Sequence, residues 1–149
     1  MPQHSFDSPL GVLTVTEENG VVVSLDWGWP PDTEETSLLL RAEEQLDAYF
    51  QGEREAFDLP LAPPGTTFQR RVWEVLRSIP HGETRSYGDL ARSLATSPRA
   101  IGTACGRNPI PILIPCHRVV GASGSLGGYS GGEGLDTKKF LLDLERKHP

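Results

Sequence analysis

Residues 11–16 and 21–27, rich in hydrophobic positions, alternate β-branched with other residues on either side of Glu18-Asn19-Gly20. A period of two predicts strands. Asn-Gly between two such runs predicts a tight hairpin, because both residues tolerate positive φ. The period then changes. Over residues 35–50, Leu38, Leu39, Ala42, Leu46, Tyr49 and Phe50 recur at helical spacing and Gly52 stops the run, which predicts an amphipathic helix. This acidic first unit carries no evident chemistry and reads as a scaffold.

Asp58-Leu59-Pro60-Leu61-Ala62-Pro63-Pro64-Gly65 follows, too rich in proline for a helix or a central strand. We place a boundary there, giving units at 1–62 and 63–149. Beyond it the predicted elements are short helices. Phe68, Val72, Val75, Leu76 and Ile79 form one stripe, ended by Pro80 and Gly82. Ser86 with Asp89 is a capping-box variant opening a helix through Tyr87, Leu90, Ala91 and Leu94. After a three-residue break, Ser97 as N-cap and Pro98 at the first helical position start another, through Arg99, Ile101 and Ala104 to Gly106. Two short helices so joined predict a helix-turn-helix, whose second helix faces nucleic acid. Residues 107–115 read as a proline-punctuated loop and residues 121–134 as a glycine- and serine-rich one. Asp136 or Thr137 is the expected cap of a last helix carrying Phe140, Leu141 and Leu144, with Glu145 near its end.

Composition narrows the function classes. At 37% hydrophobic and 23% charged residues the chain is that of an ordinary globular protein. No stretch approaches ~18 apolar residues, so no membrane span is expected. No basic-then-apolar leader is visible, and cytoplasmic residence, with its reducing conditions, is the expectation. A Cys105–Cys116 disulfide is therefore disfavoured, and neither cysteine belongs to a Cys-x-x-Cys pair that would announce zinc. The net charge of −6 conceals a split: residues 1–62 carry 2 basic against 13 acidic side chains, residues 63–149 carry 12 against 7. A basic second half fits an acidic partner, or simply a surface with many arginines.

The candidate chemistry lies in Ile114-Pro115-Cys116-His117-Arg118-Val119-Val120. A thiol attacks as thiolate, and its ordinary pKa is ~8.5. Two potential cations follow Cys116 and Pro115 fixes the backbone before it, a pattern expected to hold an activated sulfur in place. In an extended segment Cys116 and His117 would point to opposite faces, so a direct pair would need a kinked backbone or an intervening water.

Gly82-Glu83-Thr84-Arg85-Ser86-Tyr87-Gly88-Asp89-Leu90-Ala91, Arg99-Ala100-Ile101-Gly102, Asn108-Pro109, the Pro-Cys-His-Arg core and Gly128-Tyr129-Ser130-Gly131-Gly132 together resemble the O6-alkylguanine-DNA alkyltransferases, in the family's order over roughly residues 66–146. The resemblance implies an α+β fold: a small N-terminal α/β domain of ribonuclease H type, then a mainly helical winged helix-turn-helix domain. It implies a monomer without cofactor or obligate protein partner, binding double-stranded DNA that contains O6-alkylguanine (O4-alkylthymine is a further possible substrate) from the minor groove. The base would be flipped out and its alkyl group moved irreversibly to Cys116, one turnover per molecule.

The resemblance also implies roles. Cys116 is the acceptor, His117 acts through a water, Glu145 orients the imidazole, and Tyr87 donates to a purine ring nitrogen. Tyr129 and Ser130 wall the pocket together with Asn108, Pro115 and Val119. Arg99 is the arginine finger that fills the gap in the stack, and Ser97, Ala100, Gly102 and Arg107 complete the DNA-facing helix. Asn108 joins that helix to the cysteine loop; Arg118 braces the loop and favours the thiolate. Each residue has a plainer reading. His117 and Tyr87 can be core groups, Glu145 a surface carboxylate paired with Arg146 or Lys147, Arg99 a phosphate contact, Tyr129 and Ser130 turn residues, and Cys105 inward packing. Some members of the family carry zinc in the N-terminal part. With no cysteine before position 105, no metal is expected here. Three competing functions are a lesion-binding sensor that accepts no alkyl group, a helix-turn-helix regulator with an incidental thiol, and a cysteine hydrolase.

Overall fold

The computed structural model describes residues 1–29, 33–129 and 131–148. Three antiparallel strands open the chain: β1 (Gln3–Ser8), β2 (Gly11–Glu18) and β3 (Val21–Trp27), in the order β1-β2-β3. The β2–β3 hairpin turns through Asn19 and Gly20, both at positive φ, as the Asn-Gly signal predicts. Strand β1 is an addition to the expected pair. Its sequence is mostly polar, and only His4 and Phe6, two apart, are buried. That half-pattern is too short to stand out by period alone.

The helix α1 (Ser37–Phe50) packs against β1 and β2, burying Leu39, Ala42, Leu46, Tyr49 and Phe50. It starts two residues later than expected because the Thr36 hydroxyl accepts from the Leu39 N–H at 3.1 Å, making Thr36 the N-cap. The buried Gln45 amide spans both polar groups of Asp58, donating to its carbonyl at 3.1 Å and accepting from its N–H at 2.8 Å. That double bond pins the start of the proline-rich stretch.

This stretch covers a sheet edge. The Val22 N–H donates to Pro60 O at 2.8 Å and the Ala62 N–H donates to Val22 O at 2.9 Å. Further along β3, the Leu25 N–H donates to Pro109 O at 2.9 Å. Strict alternation would aim residues 22 and 25 at opposite edges. A register shift between Thr16 and Glu17 leaves Val23 without a partner, and this bulge turns both toward the open edge. The loop that leads to Cys116 is thereby bonded directly to the N-terminal sheet.

The remaining helices are α2 (Thr67–Arg77), α3 (Tyr87–Ser93), α4 (Pro98–Gly106) and α5 (Leu135–Lys147). A Thr66/Gln69 capping box opens α2, the expected Ser86/Asp89 box opens α3, and Ser97 caps α4 with Pro98 following. Helices α3 and α4 pack as the predicted pair, and the buried Trp73 of α2 donates its indole N–H to Ala104 O at 2.9 Å. Helix α5 departs from expectation. Neither Asp136 nor Thr137 caps it; Gly134, at φ +65°, precedes its first residue, and the Thr137 hydroxyl accepts instead from the Glu133 N–H. Two-residue strands β4 (Arg85–Ser86) and β5 (Val119–Val120) pair in parallel and tie the cysteine segment to the start of α3. The architecture is α+β, a sheet with one helix followed by a helical assembly. One continuous hydrophobic cluster runs through it from Phe6 to Leu141.

Candidate active site

Two unusual backbone turns present Cys116. Ile112 holds φ +74°, a left-handed conformation costly for a β-branched residue, and its side chain is buried. The turn closes through Ile114 N–H to Ile110 O at 2.9 Å. Pro115 then sits at φ −80°, ψ 65°, the centre of an inverse γ-turn in which the Cys116 N–H donates to Ile114 O at 2.8 Å. Residues Cys116–Arg118 form a single 3₁₀ turn rather than an extended segment, so alternation does not decide where Cys116 and His117 point. Asn108 fastens this loop to α4. It donates from Nδ2 to Ile114 O and accepts at Oδ1 from the Ile110 N–H, both at 2.9 Å.

Cys116 faces a cavity of about 1000 Å³. Tyr87, Pro98, Arg99, Gly102, Cys105 and Asn108 line one part of it, and Gly128, Tyr129, Gly131 and Gly132 another. Leu25, Asp26 and Trp27 of β3 supply a wall from the N-terminal sheet. Tyr87 lies close beneath the glycine-rich loop. A Cβ at Gly127, already at φ +70°, would come within 2.8 Å of its ring. At Gly131 an added Cβ would meet the Trp27 ring at 2.8 Å, while the Trp27 indole N–H donates to Leu10 O.

Glu145 is the polar centre of the site. Its Oε2 accepts from His117 Nε2 at 2.6 Å, from the Tyr49 hydroxyl at 2.6 Å and from Arg118 Nη2 at 3.0 Å. Its Oε1 accepts from Arg118 Nε at 2.8 Å and from the Gly82 N–H at 3.2 Å. Burial by itself raises the pKa of this carboxyl. The hydrogen bonds of His117 and Arg118 and the charge of Arg118 outweigh burial and hold it far below the usual carboxylate range. For His117, burial lowers the pKa and prevails over the opposing pull of Glu145. With Nε2 on the carboxylate, the neutral imidazole keeps a bare lone pair at Nδ1, a buried atom with no protein partner.

The thiol is not activated at rest. Burial pushes the Cys116 pKa up, opposed by an Asn108 hydrogen bond and by the charge of Lys138. Arg118 does not act on the sulfur; it is committed to Glu145 and, through Nη1, to Ile79 O at 2.7 Å. The cation beside Cys116 is Lys138, a residue absent from the sequence-based expectations. Fully buried, it donates to Val119 O at 2.7 Å, Gly128 O at 3.2 Å and the Tyr87 hydroxyl at 3.4 Å. A signal was present: Lys138, Leu141 and Glu145 stand at i, i+3 and i+7, two charges on an apolar stripe. Burial also raises the Tyr87 pKa, keeping its O–H protonated and able to donate.

The other expected residues divide. Arg99, Gly102, Asn108 and Tyr129 stand on the cavity, Arg99 exposed at its rim. Ser97 caps α4 by accepting from the Ala100 N–H, and Arg107 is exposed at the far end of that helix. Pro115 and Val119 do not line the cavity. Pro115 faces a separate hollow of about 260 Å³, and Val119 is a fully buried β5 residue whose carbonyl receives Lys138. Ser130 lies outside the described residues. Glu145 is buried on His117 and Arg118 rather than paired with Arg146 or Lys147. Cys105 packs against the hydrophobic core, as expected, and also lines the cavity alongside Cys116.

Known proteins resemble this chain over nearly its whole length. The ribonuclease-like domain of 6-O-methylguanine DNA methyltransferase matches residues 1–63, and its DNA binding domain matches residues 67–147. The methylated-DNA--protein-cysteine methyltransferase of Mycolicibacterium paratuberculosis is 49% identical, over 97% of this chain and 92% of that protein. Its counterpart in Methanosarcina acetivorans is 47% identical, over 94% and 95%. The crystal structure of Mycobacterium tuberculosis OGT in complex with DNA superposes with a TM-score of 0.90 at 44% identity, over 99% of this chain and 94% of that one. A buried cysteine on a 3₁₀ turn, facing a cavity lined from α3, α4 and β3, and this degree of likeness over nearly the whole length lead to one conclusion: the chain belongs to the 6-O-methylguanine DNA methyltransferase family.

Proposed function

We propose that this protein repairs alkylated DNA by moving the alkyl group of O6-alkylguanine onto Cys116. The observation that carries this is a buried thiol opening on a cavity of about 1000 Å³ that α4 borders, in a chain whose relatives are methylated-DNA--protein-cysteine methyltransferases. An O6-alkyl carbon inside a duplex is out of reach, so the base is extruded at a cost of a few kcal/mol. Arg99 at the rim fills the gap left in the stack, with Ser97, Ala100, Gly102 and Arg107 against the minor-groove backbone. Residues 63–149 form the DNA-binding unit and residues 1–62 its scaffold.

In the transfer, the Cys116 S–H proton passes through a water to His117 Nδ1, and Glu145 stabilises the imidazolium. The sulfur forms a bond to the alkyl carbon as the carbon–O6 bond breaks. Tyr87 gives its proton to a ring nitrogen of the departing guanine, and the proton taken up by His117 then returns to the Tyr87 phenolate through solvent, leaving both groups neutral. The net change is thiol plus O6-alkylguanine to thioether plus guanine. Among the described residues no group in the cavity is suited to cleave a thioether, so each molecule acts once. Tyr129 walls the base. O4-alkylthymine is a second candidate substrate. The reaction needs a reduced thiol, which fits residence in the cytoplasm.

The test is intact-mass measurement after mixing with duplex carrying O6-methylguanine. The protein gains the mass of one methyl, located at Cys116, in a burst near one equivalent, and Cys116→Ser gains nothing. Tight binding of the lesion with unchanged mass would leave only a sensor.

A further inference from the structure

The carboxylate behind His117 is held from both halves of the chain. Tyr49, from α1, reaches across 96 positions to donate its hydroxyl to Glu145 Oε2 at 2.6 Å, the same oxygen that takes His117 Nε2 at 2.6 Å. Phe50, Phe57 and His81 surround the Tyr49 ring at 5.5, 5.3 and 6.1 Å and fix its direction. Burial, and then the charge of Glu145, push its pKa far above the ordinary phenol value, so the O–H stays a donor throughout the working range. A phenylalanine would pack as well in this apolar surround, and only the hydroxyl reaches the site.

We propose that Tyr49 is a positioning residue for alkyl transfer, its hydroxyl holding Glu145 and setting how strongly that carboxylate stabilises the protonated His117. The N-terminal helix is thereby part of the proton relay and not only a scaffold. This rests on the reading that His117 takes the thiol proton. Three donors share Oε2, and each draws electron density that the others would use. Removing the phenol leaves a more basic carboxylate, which favours the imidazolium and raises the pH at which His117 stops accepting a proton. The other charged or titratable groups facing His117 are Arg118 and Lys138. Those facing Tyr49 besides Glu145 are Arg118, Tyr129 and His81.

The experiment is the single-turnover methyl-transfer rate of the full-length protein against pH. For Tyr49→Phe the acid limb moves to a pH higher by roughly 0.5, so that transfer on that limb slows about threefold while the plateau rate is kept. A ring-fluorinated tyrosine at position 49, a stronger donor that keeps the native shape, moves the limb the opposite way. Limbs that superimpose on the wild type for both variants overturn the proposal, whatever happens to thermal stability. His117→Gln separates the two readings. If it retains the wild-type limb, His117 is not the base and both readings fall; if it loses the limb while the Tyr49 variants superimpose, only the role of Tyr49 falls.

Discussion

Cys116 is stored as a thiol where charge is costly, and an Asn108 hydrogen bond and the charge of Lys138 lower that cost. The Lys138 ammonium is buried beside the sulfur, among the carbonyls of Val119 and Gly128 and the Tyr87 hydroxyl. Each reacting group is tuned by its surroundings: burial disfavours the thiolate and the imidazolium, and Lys138 and Glu145 offset it. Replacing Lys138 by Met, of similar reach but without charge, raises the Cys116 pKa further. The thiolate population at neutral pH then falls roughly tenfold and transfer slows by the same factor, read from the pH dependence of thiol alkylation alongside the repair rate. Cys116, His117 and Arg118 were conspicuous in the chain because they are consecutive. Their division of labour was not. The 3₁₀ turn and the partner on α5 direct Arg118 to Glu145 and leave Lys138 to the sulfur.

Between the elements, Asn108 carries most of the connection from α4 to the cysteine loop. Its side chain satisfies the Ile114 carbonyl and the Ile110 N–H on either side of the left-handed Ile112. Asn108→Ala leaves both backbone groups without those partners at a cost of about 1–3 kcal/mol each. Unfolding in urea and faster hydrogen exchange at Ile114 and Cys116 register it, even with α4 intact. The helices α3 and α4 were legible because their start signals are local: Ser86 with Asp89, and Ser97 before Pro98. Strands β4 and β5 were not, since a two-residue ladder has no period to detect. The start of α5 was misread for a related reason. The Thr137 hydroxyl serves the preceding loop at Glu133, a choice fixed by how that loop packs.

For the molecule as a whole, the two halves share one hydrophobic cluster and one buried charge network, so acid attacks both together. Folding lowers the pKa of His117 below 6.5 and that of Glu145 below 4.5. The unfolded chain therefore binds more protons than the native one below each of these values. Stability is full above about pH 6.5, declines as pH falls through the histidine range, and declines again below about 4.5 as the Glu145 contribution is lost. Calorimetric unfolding midpoints measured downward from pH 7 check this. A midpoint level down to pH 4 contradicts it.

Local chemistry, readable from residues a few positions apart, settled the hairpin, the helix pair and the family likeness carried by the Pro-Cys-His-Arg run. Such features depend on backbone propensity and spacing, which the linear chain carries in full. What folding alone arranged are contacts between residues far apart: Tyr49 on Glu145, Pro109 on the bulged edge of β3, Trp27 under the glycine loop, Lys138 beside the sulfur. Each depends on packing that brings distant groups into one low-dielectric space, where a hydrogen bond or a charge has an effect it would not have in water.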